Sequence, residues 1–231
     1  LNLNSSPIVM DCTFLNNAAW CGGGMYNFGG SPALIRCRFL SNTTFEGIDG
    51  ADARLHVGNG TPGGDGAGLY NNQSDARVTE CIFRSNGTGM GGSGGSTETG
   101  AQGGFGADGG SGAGAYNLDC SPIFRRCIFV ENQTGRGARG GYDSNIASSG
   151  DGGKGAGMYN RNASPQILEC DFIQNSTGIG GLSARHSGDG GNAGDGAGIC
   201  SVNSSVTIAD CRFTENQTGR GGLAYRESGG T

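Results

Sequence analysis

Residues 112–132 read GAGAYNLDCSPIFRRCIFVEN, and the reading of this string decides the fold. Tyr116 and Cys127 stand eleven residues apart, and Cys127 opens the motif Cys-x-Phe-x-x-Asn. The same motif occurs at Cys12–Asn17, Cys37–Asn42, Cys81–Asn86, Cys127–Asn132, Cys170–Asn175 and Cys211–Asn216. Eleven residues before each Cys stands Leu1, Tyr26, Tyr70, Tyr116, Tyr159 or Cys200. Asn follows that landmark in every copy but the last, where Ser201 replaces it. The spacing of eleven is constant, while the distance between copies runs from 25 to 46 residues. A rigid half therefore alternates with a half of variable length.

Side-chain direction makes the rigid half a strand. Three residues before each Cys comes Val9, Leu34, Val78, Phe124, Ile167 or Ile208. With the Cys and the Phe two residues later, it forms an apolar face of the strand type. A helix would need apolar positions at 3.6-residue spacing and far fewer glycines. Six such segments cannot each bury a face alone, but stacked ~4.8 Å apart they bury continuous columns. The expectation is an all-β, right-handed parallel β-helix (a solenoid) of about six coils, one domain over 1–231. Coils start near 1, 22, 66, 112, 155 and 196, and six of them span roughly 29 Å. Cys12, Cys37, Cys81, Cys127, Cys170 and Cys211 should form one ladder, and Phe14, Phe39, Phe83, Phe129, Phe172 and Phe213 a second. Asn17, Asn42, Asn86, Asn132, Asn175 and Asn216 should form a third, each amide bonding to the next.

Composition agrees. The chain has 231 residues, of which 50 are Gly but only 5 Pro, with no Gly-X-Y period, so collagen is excluded. Apolar residues make up only 34%, yet their periodic placement decides against a disordered chain. The net charge is −5 and the 15 basic residues are scattered, so nothing points to nucleic acid. No apolar run reaches the ~18–20 residues of a membrane span.

Paired Phe-x-x-Asn and Gly-Gly-Ala-Ile-type motifs are present as Phe14–Asn17, Phe39–Asn42, Phe83–Asn86, Phe129–Asn132, Phe172–Asn175 and Phe213–Asn216. Their partners include Gly23-Gly24-Met25-Tyr26 and Gly66-Ala67-Gly68-Leu69. In these pairs the sequence resembles the passenger regions of chlamydial-type polymorphic outer-membrane proteins and related β-helix proteins of bacterial surfaces. That resemblance implies a secreted or cell-surface, often adhesive, repeat protein. The long Gly-rich insertions and the lack of a membrane-barrel domain are departures from it.

The insertions run over 43–65, 87–111, 133–154, 176–195 and 217–231, all at one corner. They share a Thr-Gly-x-Gly mark at Thr88, Thr134, Thr177 and Thr218 and an exit rich in Gly and Asp. Repeating insertions at one corner of a solenoid lie side by side. A second layer of polyglycine-like extended strands is therefore favoured over disordered loops.

Several chemistries compete for the remaining residues. Five ladder Asn, from Asn42 onward, also read as Asn-x-Thr sequons, but a buried ladder amide is unavailable to sugar. Asn4, Asn72, Asn162 and Asn203 form sequons in the turn after the first strand and are the better glycan sites. Asp65, Asp108, Asp151, Asp189 and Asp195 are candidate calcium ligands, although one carboxylate per coil is fewer than calcium prefers; no other metal and no cofactor is expected. The nine Cys show no zinc spacing, and stacked thiols fit a disulfide poorly, so free buried thiols are expected. Cys21, Cys120 and Cys200 occupy three other repeat positions and suggest no pairing.

The charged residue before each Cys (Asp11, Arg36, Glu80, Arg126, Glu169, Asp210) predicts an exposed salt ladder. Glu169 beside Asp210 is the one place for a lyase-like or hydrolase-like site, but His56 and His186 both fall in insertions and no nucleophile–base string appears. The outward positions Thr13, Arg38, Ile82 and Asp171 vary too much for an ice-binding face. The expected function is thus a structural segment of an extracellular filament, sheath or surface adhesin, not an enzyme. It would stack end to end with itself or with further repeats, and surface glycans are a further expected partner. Leu1 enters inside a coil and Thr231 falls inside an insertion, which suggests continuation. A carbohydrate-binding or carbohydrate-cleaving β-helix is the alternative.

Overall fold

The computed structural model describes residues 1–53, 57–97, 103–142, 147–183 and 189–223. Its six coils stack in parallel into three six-stranded sheets, and no helix occurs among the described residues. The first sheet holds Asn2–Leu3, Met25–Phe28, Leu69–Asn72, Ala115–Leu118, Met158–Arg161 and Ile199–Val202. The second holds Ile8–Met10, Ala33–Ile35, Arg77–Thr79, Ile123–Arg125, Gln166–Leu168 and Thr207–Ala209. The third holds Thr13–Leu15, Arg38–Leu40, Ile82–Arg84, Ile128–Val130, Asp171–Ile173 and Arg212–Thr214. A short fourth ladder joins Ala18–Ala19 to Thr43–Thr44 and continues as single bridges through Gly87, Gln133, Ser176 and Gln217. The chain is an all-β parallel β-helix, as its repeats require.

Register follows the repeat without a slip. Phe83 pairs with Phe39 on one side and Phe129 on the other, and Tyr116 lies between Tyr70 and Tyr159. The six Phe rings stack with centroids 4.7–5.0 Å apart and planes within 6°. Phe39, Phe83, Phe129 and Phe172 are fully buried, whereas Phe213 on the last coil is 48% exposed. Leu34, Val78, Phe124 and Ile167 face them from the second sheet, and Leu69, Ala115 and Met158 from the first.

The strand inferred around each Cys is two strands. The odd step of three residues from Val78 to Cys81 cannot keep both side chains on one face of a straight strand. Glu80 turns the chain there with φ of 55°, and Asp11, Arg36, Arg126, Glu169 and Asp210 do the same at 50–55°. A second left-handed bend precedes each ladder Asn, at Asn16, Ser41, Ser85, Glu131, Gln174 and Glu215. These bends carry few of the Gly or Asn residues that favour the conformation. Ladder bonds from both neighbouring coils hold them: the Glu80 N–H donates to the Arg125 carbonyl and the Arg36 N–H to the Thr79 carbonyl, at 2.9 and 3.0 Å.

The corners are tied by side chains. Each ladder amide donates to the next, as in Asn42 to Asn86 (3.0 Å) and Asn86 to Asn132 (2.9 Å), and also to a carbonyl two coils from its acceptor, as in Asn86 to Phe39 (3.0 Å). A second amide ladder, at Asn2, Asn27, Asn71, Asn117, Asn160 and Ser201, closes the turn after the first sheet. All nine cysteines are free. The column thiols accept neighbouring backbone N–H groups, as Cys81 does from Cys37 at 3.3 Å, and behave as small apolar groups.

Candidate functional site

The insertions form an ordered second layer fixed to the β-helix. The first four leave the corner as an outgoing arm and come back as a return arm beside it, and the fifth is described along its outgoing arm as far as Leu223. In the third coil the Gly110, Ala107 and Gly104 N–H groups donate to the Gly89, Gly92 and Gly95 carbonyls at 2.9, 3.0 and 2.9 Å. Contacts thus recur every third residue, the period of a polyproline II helix, which has three residues per turn and no internal hydrogen bonds. The outgoing arms also bond coil to coil, as Gly91 does to Arg136 and Gly94 to Arg139, both at 2.9 Å. Return arms do the same from Gly63 to Asp108 and from Gly109 to Asp151. The result is a sandwich two arms thick in which the backbone itself is the packing surface.

Most inner positions admit only glycine, although Ala107, Ala138 and Ala147 also stand on the inner side. A Cβ on Gly110 would lie 1.8 Å from the Gly64 carbonyl oxygen, and one on Gly153 equally close to that of Gly110. Every third side chain escapes outward instead. On the outgoing face these columns are Glu46, Met90, Arg136, Ile179 and Arg220, then Asp49, Ser93, Arg139, Leu182 and Leu223, then Asp52, Ser96 and Tyr142. The outward-facing backbone N–H of one arm is met by the side chain of the arm before. Asp49 accepts from Ser93 and Asp52 from Ser96, both at 2.6 Å, and Asn59 accepts from Phe105 at 2.9 Å.

A threonine ladder hinges this layer to the β-helix. The hydroxyls of Thr44, Thr88, Thr134 and Thr177 donate to the carbonyls of Gly64, Gly110, Gly153 and Gly194 at 2.6–2.7 Å. The same hydroxyls accept from the N–H of Gly89, Gly135, Gly178 and Gly219 at 2.8–2.9 Å. The Thr-Gly-x-Gly mark is therefore a joint, with Thr spanning the two arms of its own coil and the first Gly of the next.

The candidate calcium ligands stand on the return arms, Asp108 and Asp151 stacked in one column and Asp65 and Asp195 three coils apart in another. Asp65 accepts from the Ser111 N–H at 2.6 Å, Asp108 from Asp151 at 2.7 Å and Asp151 from Asn192 at 2.6 Å, while Asp195 pairs with Lys154 at 3.1 Å. Asp189 is exposed. No group of three or more His, Cys, Asp or Glu is gathered as metal ligands among the described residues. Burial pushes the Asp65 carboxyl up to about 6, against the opposing pull of the Ser111 N–H and of Arg161.

The glycan sequons divide. Asn4, Asn162 and Asn203 share one exposed column with φ of 47–50°. Asn72 does not belong to it. It pairs with Phe28 and Leu118, one residue earlier in the repeat, and its half-buried amide donates to the Tyr26 hydroxyl at 3.4 Å. The equivalent bend in that coil is at Gln73. Asn42, Asn86, Asn132 and Asn175 are buried in their ladder.

The charged corner forms the expected ladder in two segments: Arg36 reaches Asp11 at 2.7 Å, and Arg126 lies between Glu80 (2.7 Å) and Glu169 (4.0 Å), with no ion pair from Arg36 to Glu80 and none to Asp210 among the described residues. Arg125 also holds Glu169, at 2.8 Å. The carboxylate next to Asp210 is thus occupied by two guanidinium groups. His56 and His186 lie outside the described residues. Burial raises the thiols of Cys21, Cys200 and Cys127, and pushes Cys120 up to about 12, so these sulfurs are held as thiols. The Tyr26, Tyr70 and Tyr116 rings stack outside the first sheet at 4.8–5.0 Å, and Tyr159 follows at 5.0 Å with its ring tilted by 49°.

Comparison with known proteins returned no matching family model, no matching curated protein and no matching solved structure.

The outgoing face carries a groove of 420 Å³ lined by Asp49, Asp52, Ser93, Ser96, Arg139 and Tyr142 over a floor of Gly50, Gly94 and Gly140. It crosses three coils, with carboxylates on the second, hydroxyls on the third, and a guanidinium and a phenol on the fourth.

Proposed function

We propose that this chain is a structural repeat segment of an extracellular surface filament, sheath or adhesin, with a non-enzymatic role. The observation that carries this reading is the uniform step of every ladder. Phe, Asn, Thr and glycine columns all advance by one coil without converging on a reactive cluster. Each coil presents the same columns to its neighbour: Ile208 and Phe213 of the last coil, 47% and 48% exposed, repeat Val9 and Phe14 of the first, which are half-buried. The ladders are also polar. Each amide donates to the coil that follows, so Asn216 offers a donor where Asn17 offers an acceptor. A coil of this kind offers its neighbour the same columns and the same donors, so identical coils, of one chain or of two copies, can add with no change of geometry. The resemblance of the Phe-x-x-Asn repeats to bacterial surface β-helix proteins supports an extracellular setting.

The test is a tandem fusion joining the end of one copy to the start of a second. A continuous rod buries the facing end coils, so the fusion should melt cooperatively above the single copy. Two transitions at the single-copy temperature would overturn the reading, as would depolymerisation of a polysaccharide by the purified chain. The second reading, carbohydrate binding, is favoured by one observation, the groove on the outgoing face.

A further inference from the structure

We propose that this groove binds a neutral glycan, with one hexose ring seated on Tyr142 and its hydroxyls held by Asp49, Asp52, Ser93, Ser96 and Arg139. The inference deepens the carbohydrate-binding reading and is independent of how the rod is extended. Its volume falls in the ~300–1,000 Å³ range of small-molecule sites. Adjacent outward positions on one arm are ~9.3 Å apart, from three residues at 3.1 Å rise. The second and fourth coils are ~9.6 Å apart, from two steps of ~4.8 Å. The polar groups therefore frame an opening about the width of a sugar ring with its hydroxyls.

The chemistry is balanced for hydroxyl groups. A sugar hydroxyl both donates and accepts, so its site needs fixed groups of both kinds. Asp49 and Asp52 each use one oxygen on a backbone N–H and keep the other as an acceptor. The Ser96 oxygen accepts the Tyr142 N–H at 3.1 Å, which leaves its own proton to donate. Arg139 supplies donors from the far wall. Its guanidinium is hydrogen-bonded to the Tyr142 hydroxyl and lies 5.5 Å from that ring's centroid, which fixes the aromatic plane. Tyr142 is 41% exposed and offers an apolar face for the C–H side of a sugar. No carboxylate lies within ion-pair distance of Arg139 among the described residues. Two carboxylates against one guanidinium leave the groove net negative, which selects a neutral ligand over an acidic sugar. These positions are set by backbone ladders on both arms, so the site is preorganised before ligand arrives.

The experiment is saturation-transfer NMR on the intact chain with methyl α-D-mannopyranoside, methyl β-D-glucopyranoside, methyl β-D-galactopyranoside and N-acetylneuraminic acid. Transfer to the ring protons of at least one neutral glycoside is expected. Tyr142→Ala should weaken it at least about tenfold. Asp52→Asn, which retains the oxygen that caps Ser96, should weaken it while leaving the melting temperature unchanged. Phe105→Ala removes an equally exposed ring from the opposite face and should change nothing. Absence of transfer to every neutral glycoside overturns the proposal. So does binding confined to N-acetylneuraminic acid, or binding that survives both groove variants.

Discussion

The two layers of this molecule solve the same packing problem by opposite means. In the β-helix, side chains fill the interior and the backbone runs round it: Phe83 is sandwiched between Phe39 and Phe129 at 4.8 and 4.7 Å. In the glycine layer the backbones fill the interior and the side chains are expelled: Gly110 has no room for a single added carbon. The first layer is stabilised mainly by removing apolar area from water. The second buries almost no apolar side chain, and its cohesion comes from dense backbone hydrogen bonding between arms that carry no internal bonds of their own. A polar, low-hydrophobicity segment can therefore be ordered where a neighbouring scaffold holds its ends in register.

Substitutions can break the comparison layer by layer. Phe83→Ala should have the largest effect, about 3–5 kcal/mol by chemical denaturation, because the rigid stacks on either side cannot collapse into the gap. Gly153→Val should cost roughly 1–3 kcal/mol through overpacking, and hydrogen exchange should show the loss confined to the insertions. If both layers lose protection equally, they are one cooperative unit and the distinction fails. Thr134→Val removes the hinge and leaves the Gly153 carbonyl and the Gly178 N–H without that partner, a loss of about 1–3 kcal/mol. Matching exchange rates in wild type and variant would show that the joint is dispensable.

The Asp65 carboxyl sharpens the contrast through pH. Its folded pKa of about 6 lies above the unfolded value of ~3.9, so the folded state holds an extra proton in between. This contribution is fully present below pH ~4 and is lost as pH rises through about 6, so it opposes stability at neutral pH. Asp65→Asn, which keeps the acceptor for Ser111, should flatten that fall; an unchanged pH profile of melting temperature would refute the assignment. Arg126→Ala should matter least, leaving the denaturation midpoint nearly unchanged, because both it and its partner Glu80 are well exposed.

The ladders were legible because eleven residues never vary between landmarks, so Phe on Phe and Asn on Asn follow from stacking alone. The ordered glycine layer was legible for the same reason, through its recurring Thr-Gly-x-Gly. The corners were not. Glu80, Arg126 and Gln174 adopt left-handed φ without any residue type that advertises it, since the neighbouring coils impose the bend. The three-residue period of the arms was masked by glycine at two positions out of three, which leaves too few side chains to display a pattern. Asp65, Asp108 and Asp151 looked like ligands because their partners are backbone N–H groups one coil away, invisible to spacing within a coil. Asn72 was misplaced by one residue because a sequon marks a tripeptide and says nothing of register. The groove was hidden altogether: Asp52, Ser96 and Tyr142 are 44 and 46 residues apart, and only the coil-to-coil match brings them into line.

The outward positions of the arms have a consequence for how such a surface can diverge. One column runs through Glu46, Met90, Arg136, Ile179 and Arg220, five unrelated side chains on an unaltered run of backbone hydrogen bonds. The arms accept unrelated side chains at every third place with no change in the backbone ladder, so the surface can vary by single substitutions while the fold is kept. Backbone packing and surface chemistry are here carried by different letters of the same triplet.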